Sequence, residues 1–464
     1  MRKLMFFLIL FLSVICFSQN KQLLYNFTAM PQSLMVNPGA DYKYNWYVGI
    51  PLLSGISANI GSSGFSAHDL FADNGVNFND KLRNLVFSVS RNDKIAINEQ
   101  IEIFNAGFRI NKENNPIYFS FGMYQEMDFL LYFPKDLSIL GLYGNKDYLG
   151  KTFNLADINL KGELLSVFHL GMNKKVNEKW TLGFRGKIYS SIFNISSTKN
   201  SGYIYTVPAE NEFYKQIIAS NLNLNTSGFL NYTQDYTGNA ASDILKKTLL
   251  GGNLGFGIDL GFTYYPEDNL QLTASIVDFG FISHTKQLEN YSYKGVFVQE
   301  GVQPDFINPS TTTQSLGDKF NEAIPYTTYS KKYTTWRPLK FNTSFEYAFV
   351  QAGNSDCNCN NNQMRYNNSV GAQFYMMFTP RTPLMALTAY FRKRVSDALE
   401  IKTTYTLDSF SSRNLGLGLS TNLSKVNFYF LADNLLEYRD LSKAKSLSLQ
   451  LGLNIIFADK EATE

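Results

Sequence analysis

Histidine, the side chain that most often acts as an acid or base in enzymes, occurs only three times in this 464-residue chain, at widely separated positions. The three histidines, His68, His169 and His284, are never in a metal-binding spacing such as HExxH. The sequence contains no GxSxG elbow, phosphate-binding P-loop or zinc signature. An enzyme would require a Ser or Asp to meet one of the histidines near an outer rim. We therefore expect a protein that is not an enzyme, with no catalytic residues, no cofactor and no bound metal.

Two cysteines, Cys357 and Cys359, lie in the loop-like stretch NSDCNCNNN. At this spacing they could form a small strained disulfide or remain free thiols. A metal site would need further ligands, which the neighbouring residues do not offer. We expect a structural or incidental role for this pair.

A set of charged residues occupies positions opposite the apolar stripes of alternating segments: Glu163, Arg185, Lys187, Asp259, Glu400 and Lys402. Charges within a membrane usually face a water-filled interior or pair with one another, because the lipid face is unfavourable for them. Two interpretations are open: a selectivity ring for a solute, or an ion-pair network that fills or solvates the lumen. Asp278, in VDFGF, is expected to cap a bend through backbone hydrogen bonds.

These charges can share one interior only if the segments that carry them form a closed sheet. In NLGFGIDLGFTYY, large apolar residues alternate with Gly, Asp and Thr, which predicts a strand with one apolar face and one small or polar face. Similar segments of about 10 to 13 residues recur along the chain, and a tilted strand needs about 9 to 11 residues to cross a bilayer. An open sheet edge would be costly in lipid, so the sheet must close.

The composition agrees with this interpretation. Aromatic residues make up 15% of the chain, whereas charged residues make up 17%, below the roughly 25% typical of soluble domains. Beyond residue 18 there is no apolar run long enough for a membrane helix. We predict an all-β fold, a transmembrane antiparallel outer-membrane β-barrel of about 14 to 16 strands. The near-neutral net charge gives no indication of nucleic-acid binding.

The two ends of the chain carry expectations of their own. Arg2 and Lys3 precede an apolar run that ends near Ser18, which predicts a cleaved signal peptide over 1–18 and therefore export; a lipid anchor at Cys16 is the alternative. Residues 19–43 are expected to form a periplasmic or lumen segment. Residues 44–457 are expected to form the barrel, with large extracellular insertions near 191–252 and 283–338.

The chain closes on LSLQLGLNIIF, in which apolar residues hold every second position up to Phe457. We interpret this as the last barrel strand, followed by a periplasmic tail at 458–464. Gly452, Ile455 and Phe457 are candidate residues of the signal that barrel-assembly machinery recognises.

Several stretches in order resemble an uncharacterised family of Bacteroidota outer-membrane barrels: YNFTAMPQSLMVNPGADYKYNWYVGIPLLSG, SIVDFGFISH, WRPLKFNTSFEY and DNLLEYRDLSKAKSLSLQLGLNIIF. The NPG element is also distantly similar to the start of PorP/SprF proteins, which are associated with type IX secretion and gliding. This chain has NPGADY where those proteins usually have NPAYAG. The resemblance implies a β-barrel in the cell outer membrane and brings no established catalytic residues.

Two functions follow as hypotheses. The first is a structural or interaction component of an envelope assembly, such as type IX secretion, gliding or surface attachment. Its expected partners are outer-membrane lipid, the barrel-assembly machinery and envelope secretion or gliding proteins. The alternative is a channel or transporter for small or hydrophobic solutes. The N-terminal region discriminates between them, because an apolar segment folded into the lumen would favour a gated channel.

Overall fold

The computed structural model describes residues 22–42, 44–110, 116–209, 214–229, 239–300, 318–351, 366–411 and 413–457. The expected signal peptide, the Cys357–Cys359 pair and the expected tail at 458–464 lie outside these ranges. Apart from short helices, the described chain is built of β-strands: β1 (Trp46–Gly49), β2 (Ile56–Ser62), β3 (Lys94–Ile110), β4 (Ile117–Tyr132), β5 (Thr152–Asn154), β6 (Leu160–Lys175), β7 (Trp180–Ser197), β8 (Ser201–Pro208), β9 (Tyr214–Ser227), β10 (Asn253–Glu267), β11 (Leu270–His284), β12 (Leu288–Glu300), β13 (Tyr326–Tyr329), β14 (Tyr333–Trp336), β15 (Lys340–Gln351), β16 (Tyr366–Met377), β17 (Leu384–Arg394), β18 (Leu399–Asp408), β19 (Asn414–Leu423), β20 (Val426–Asp433) and β21 (Ser446–Phe457).

The strands form a closed antiparallel barrel of 14 strands, which confirms the predicted fold at the lower end of its expected strand number. Strands β1 and β2 act as one interrupted barrel strand, and β14 and β15 act as another. Closure occurs where β1 and β2 pair with β3 on one side and with β21 on the other. The last described strand therefore seals the sheet against the first, and the described strands of the barrel leave no unpaired edge.

The two ends of the barrel differ. At one end, which we call the turn end, short links join the strands, as at 176–179, 268–269 and 424–425. At the other, the loop end, long insertions project beyond the wall. Strand alternation places apolar residues outward: in β10, Leu254, Phe256, Ile258 and Leu260 are exposed, whereas the residues between them are buried. Such a belt of exposed apolar side chains is what lipid contact requires.

Aromatic rings mark the turn end of this belt. Trp46 stacks on Phe457 with ring centroids 3.5 Å apart, across the pair of strands that closes the barrel. Trp180 stacks on Tyr264 at 4.3 Å. Amphipathic rings at strand ends are typical of the interfacial girdles of membrane barrels.

The loop-end insertions are more structured than the alternation pattern indicates. Strands β8, β9, β12 and β13 form an outer sheet, which joins the barrel wall where β9 pairs with the last residues of β7. Short helices occupy other insertions: α1 (Ala67–Phe71), α2 (Phe78–Ser88), α3 (Lys135–Tyr143) and α4 (Ala240–Lys246). Within the described ranges, no helix is long and apolar enough to cross a membrane.

Helix α4 and the turn after it lie against the outside of the barrel wall. The Ser190 hydroxyl, on an outward position of β7, donates to the Lys247 carbonyl at 2.5 Å, and Gln125 of β4 donates to Thr248 at 3.4 Å. Leu245 and Leu249 remain 59% exposed. Their side chains continue the apolar belt toward the loop end.

Candidate functional site

Residues 22–42, which we call the lumen segment, run through the interior of the barrel near its turn end. The segment buries Leu23, Leu24, Tyr25, Phe27 and Met30 against Tyr429 and Leu431 of β20. Its single regular turn is a 3-10 helix at Pro31–Met35, where all five residues are buried.

Wall side chains satisfy the backbone carbonyls of the lumen segment. Lys402 Nζ donates to the Tyr25 carbonyl at 2.5 Å, and Arg185 Nη2 donates to the Leu34 carbonyl at 2.6 Å. The hydroxyl of Ser275 donates to the Val36 carbonyl at 2.6 Å. Buried carbonyls need such partners, because an unpaired one costs about as much as a lost hydrogen bond. These contacts run from side chain to backbone and are not part of a strand ladder.

The NPG element packs tightly against the barrel wall. A Cβ placed on Gly39 would clash with the backbone of Gly261, and one placed on Gly183 would clash with the carbonyl of Pro38. Asn173 donates to the carbonyls of Pro38 at 2.9 Å and Ala40 at 2.7 Å. Glycine in β7 and β10 is thus required by contact with the segment.

A cavity of about 800 Å³ lies in the barrel on the loop-end side of the lumen segment. Gln22, Met35 and Val36 of the segment form part of its lining. Exposed Lys199 and Pro380 also line it, so the cavity meets solvent at the loop end. Its volume lies within the range of about 300 to 1,000 Å³ that small-molecule sites occupy.

Ion pairs join strands across the cavity wall. Arg337, between β14 and β15, contacts Glu126 at 2.8 Å and Asp128 at 3.0 Å, both on β4, and also pairs with Glu163 of β6. Lys340 of β15 lies 2.7 Å from Asp278 of β11. The wall network therefore connects strands that are not neighbours in the sheet.

The same network continues toward the lumen segment. Lys187 of β7 bridges Asp259 at 2.8 Å and Asp278 at 2.6 Å, and Arg185 lies 3.6 Å from Asp259. Each of these four side chains is at most 3% exposed. Charges this deeply buried persist only when they are paired and hydrogen-bonded.

A protein-family model matches most of the chain. The model described as a family of unknown function (DUF5723) matches residues 38–433, from the NPG element to the end of β20. The chain belongs to this family. A search of curated protein sequences finds no match.

Among solved structures, outer-membrane proteins match this chain at low similarity. A FadL homologue of Pseudomonas aeruginosa is 11% identical with a TM-score of 0.42, covering 96% of this chain and 98% of that one. The toluene transporter TodX of P. putida is 9% identical with a TM-score of 0.38 and 92% coverage of each chain. A porin mutant of Rhodopseudomonas blastica is 8% identical with a TM-score of 0.24, covering 87% and 100%.

In this DUF5723 member, the six charged residues singled out from the sequence all point into the barrel, but they fall into two groups. Glu163, Arg185, Lys187 and Asp259 belong to the wall network beside the cavity. Glu400 and Lys402 lie on β18, where Glu400 is 3.6 Å from Arg392 and Lys402 holds the lumen segment. The residues do not form a ring at one height, because Glu163 is aligned with Asn194 of β7, whereas Asp259 is aligned with Arg185 of the same strand.

Sequence reasoning missed further members of these groups: Glu126, Asp128, Arg337, Lys340, Glu346 and Arg392. Glu126 and Asp128 lie at alternate positions of β4, so the alternation rule that selected Glu163 could also have found them. Arg337 had no such signal, because it lies at a break between two strands. Its role depends on that break facing β4 and β6 across the lumen.

Asp278 lies at a bulge of β11. Its φ is +63°, an uncommon value for a residue other than glycine, and its N–H donates to Asp259 Oδ1 at 2.8 Å. The register with β10 shifts at this point, between Ile258 and Leu260. Asp278 therefore caps a bend through its backbone and also carries two ion pairs through its carboxylate.

A serine and a histidine do meet near the loop end. His284 Nδ1 and the Ser227 hydroxyl are 2.9 Å apart, and His284 Nε2 and the Thr335 hydroxyl are also 2.9 Å apart. Ser227 is 1% exposed and His284 is fully buried, so the pair is closed off from solvent. Both ring nitrogens bond hydroxyls instead of the carboxylate that orients a catalytic histidine. These contacts join the outer sheet to β11 and β14.

In the part of the chain that the structure describes, no three His, Cys, Asp or Glu side chains are arranged to hold a metal ion.

The three residues of the expected assembly signal have structural contacts of their own. Gly452 faces the lumen, where a Cβ would clash with the Ser54 carbonyl. Ile455 faces outward at 36% exposure, and Phe457 stacks on Trp46. Each of them helps to close the barrel, whatever its role during assembly.

Proposed function

We propose that this protein is an outer-membrane channel for small solutes, gated by the lumen segment. One observation carries the proposal: residues 22–42 fill the interior at the turn end, and a cavity open to solvent lies directly beyond them. A solute that enters from the loop end meets Met35 and Val36 of the segment before it can pass. Displacement of the segment is therefore the step that would open a path.

Membrane placement is part of the same proposal. Its support is the outward apolar belt, which includes Leu170, Phe184, Phe256 and Leu387. The turn-end rings of Trp46 and Trp180 add to it. A soluble protein rarely exposes an apolar surface of this extent.

The channel function can be tested by recording single-channel currents in planar bilayers. The wild type is expected to conduct weakly, and a variant that lacks residues 22–42 is expected to conduct several-fold more. Migration of the unheated variant on a denaturing gel checks that its barrel has formed. Equal conductance of two folded proteins would contradict gating by the segment.

A crosslinked variant provides the reverse test. The side chains of Gln22 and Gln373 bond each other, which places the first residue of the lumen segment beside β16. We expect Gln22→Cys with Gln373→Cys, joined by a short reducible crosslinker, to hold conductance at its lowest level until a reductant is added. Either cysteine alone is the matched control. Unchanged currents on reduction would oppose a moving segment.

A role in an envelope assembly is the second candidate, and the outer sheet favours it. Tyr326 and Tyr329 of β13 and Val296 and Val298 of β12 are exposed on this sheet. Exposed tyrosines are suited to adaptable protein contacts. Deletion of the gene should then impair protein secretion or gliding while solute uptake stays normal. Impaired uptake with normal secretion would favour the channel.

A further inference from the structure

The charged side chains that line the cavity limit the class of solute that it can bind. Four acidic side chains line it, Glu126, Asp128, Glu163 and Asp278, together with four basic ones, Lys161, Lys187, Arg337 and Lys340. A further lysine, Lys199, is exposed at the mouth. The formal charge of the inner wall is therefore balanced, unlike the single-sign lining that selects ions.

The basic groups of this wall are already occupied by protein partners. Lys187 lies within 2.8 Å of two carboxylates, and Lys340 lies 2.7 Å from Asp278. Arg337 contacts three carboxylates, and Lys161 Nζ donates to the Trp336 carbonyl at 2.6 Å. An anionic, cationic or zwitterionic solute would have to break these pairs or lose its hydration without compensation. The wall thus disfavours charged solutes of either sign.

Uncharged hydrogen-bonding groups also line the cavity. The side-chain amides among its lining residues are Gln22, Asn59, Asn98, Gln100, Asn223, Asn225 and Asn342. Asn98 donates to Glu126 at 3.1 Å and to Asp128 at 2.6 Å, so the amides extend the polar network beyond the ion pairs. Each side-chain amide has two donor hydrogens and an acceptor oxygen with two lone pairs, so an amide that already bonds a protein group can also bond a hydroxyl group.

An apolar surface completes the lining. Leu130 and Met377 pack on a buried cluster that includes Ala96, and all three residues also line the cavity. Val277, Tyr124 and Tyr375 add to this surface. A pure hydrocarbon would fit it but would cover the amides and ion pairs without replacing their hydrogen bonds.

From this lining we infer that the cavity binds an uncharged polyhydroxylated solute with apolar faces, the chemistry of a neutral disaccharide. The inference deepens the proposed channel function: transport of the sugar rests on that proposal, whereas its binding does not. Hydroxyl groups would bond the amides, and the C–H faces of the sugar rings would lie on Leu130, Met377 and Tyr375.

Isothermal titration calorimetry on the purified full chain in detergent micelles tests this directly. The probes are sucrose, a sugar phosphate, an amino sugar, a zwitterionic dipeptide and a monoaromatic hydrocarbon. Sucrose is expected to bind at least tenfold more tightly than each of the others. Equal or tighter binding of any other probe would overturn the inference, and so would no binding of sucrose.

Variants assign the binding to this cavity. Asn342→Leu is expected to weaken sucrose binding about tenfold, whereas Asn79→Leu, on exposed α2, should leave it unchanged. Lys340→Met gives the wall an excess negative charge and should shift preference toward the amino sugar. Heat-modifiable gel migration establishes that each variant is folded. An unaltered sucrose affinity in a folded Asn342→Leu protein would place the site elsewhere.

The binding and channel proposals can fail separately. If removal of residues 22–42 raises conductance while sucrose does not bind, the channel stands and the solute class is wrong. If sucrose binds in the cavity while removal of the segment changes nothing, the solute class stands and gating by the segment is wrong.

Discussion

At the scale of single residues, the interior of this protein is organised by buried charge. Arg337 is held by Glu126, Asp128 and Glu163 from two other strands, and its side chain is fully buried. By contrast, Arg394 forms a pair with Asp397, whose side chain is 90% exposed. The two arginines therefore offer a comparison between a buried and an exposed ion pair within one molecule.

Arg337→Met is expected to lower the free energy of unfolding by about 3 to 5 kcal/mol, because it leaves the Glu163 carboxylate buried without its cation. Arg394→Met should change the same free energy by about 0 to 1 kcal/mol. Urea titration of folding into liposomes measures both values. Similar losses in the two variants would show that burial of the Arg337 network does not set its contribution.

The glycines that contact the lumen segment provide a second residue-scale prediction. Gly183→Ala should push the segment off the wall, because the new Cβ would meet the Pro38 carbonyl. Gly186→Ala, on the same strand, is the matched control, since the nearest atom to its Cβ is 4.0 Å away. We expect faster proteolysis within residues 22–42 and a raised conductance in the first variant alone. A fully protected segment in Gly183→Ala would argue against this close contact.

At the scale of the elements, the pairing of β21 with β1 and β2 closes the barrel. Strand β21 pairs with β1, β2 and β20, and its outward residues alternate with buried ones from Leu449 to Phe457. Phe457 has two candidate roles: a packing partner of Trp46 and a recognition residue for barrel assembly. The structure shows Phe457 packed on Trp46, whereas its recognition during assembly remains a prediction.

Phe457→Asp is expected to reduce the amount of assembled barrel strongly, whereas deletion of residues 458–464 should have little effect. Trp46→Ala separates the two roles, because it removes the ring stack and keeps Phe457 in place. Heat-modifiable migration of membrane fractions measures assembly. If Trp46→Ala lowers assembly as much as Phe457→Asp, packing alone accounts for the requirement.

The apolar belt and helix α4 differ in their expected depth in the bilayer. Leu260 is exposed in the middle of β10, and Leu249 is exposed in the turn after α4. Leu260→Arg should cost about 2 to 4 kcal/mol of unfolding free energy, and Leu249→Arg about 0 to 1 kcal/mol, because the cost of a charge falls toward the interface. Urea titration in liposomes checks this, with Leu260→Ala as the uncharged control. A larger cost for Leu249→Arg would reverse the assigned depths.

At the scale of the whole molecule, the described strands form a closed barrel with the lumen segment inside it and the outer sheet at its loop end. We expect the protein to fractionate with the outer membrane and to migrate faster on a gel before heating than after. Both properties follow from closure of the sheet and from its outward apolar belt. Recovery of the protein as a soluble periplasmic species would contradict the membrane assignment.

The amino-acid sequence by itself determined the strands and their outward face. Period-two alternation is a local property, so segments such as NLGFGIDLGFTYY indicate both the strand and the side that lipid contacts. The same rule places Lys187, Asp259 and Lys402 in the interior. Closure of the sheet could also be predicted, because lipid offers no hydrogen bonds to the backbone groups of an open sheet edge.

Only the tertiary structure decided what the interior contains. The lumen segment has no strand period, and its position depends on side chains such as Arg185 and Lys402, which are distant from it in sequence. The partners of Arg337 follow from contacts across the lumen, which no pattern along one strand encodes. The cavity likewise exists only because distant strands and the lumen segment meet around it. Local periodicity thus determined the barrel wall, and long-range contacts determined the position of the lumen segment and the shape of the cavity.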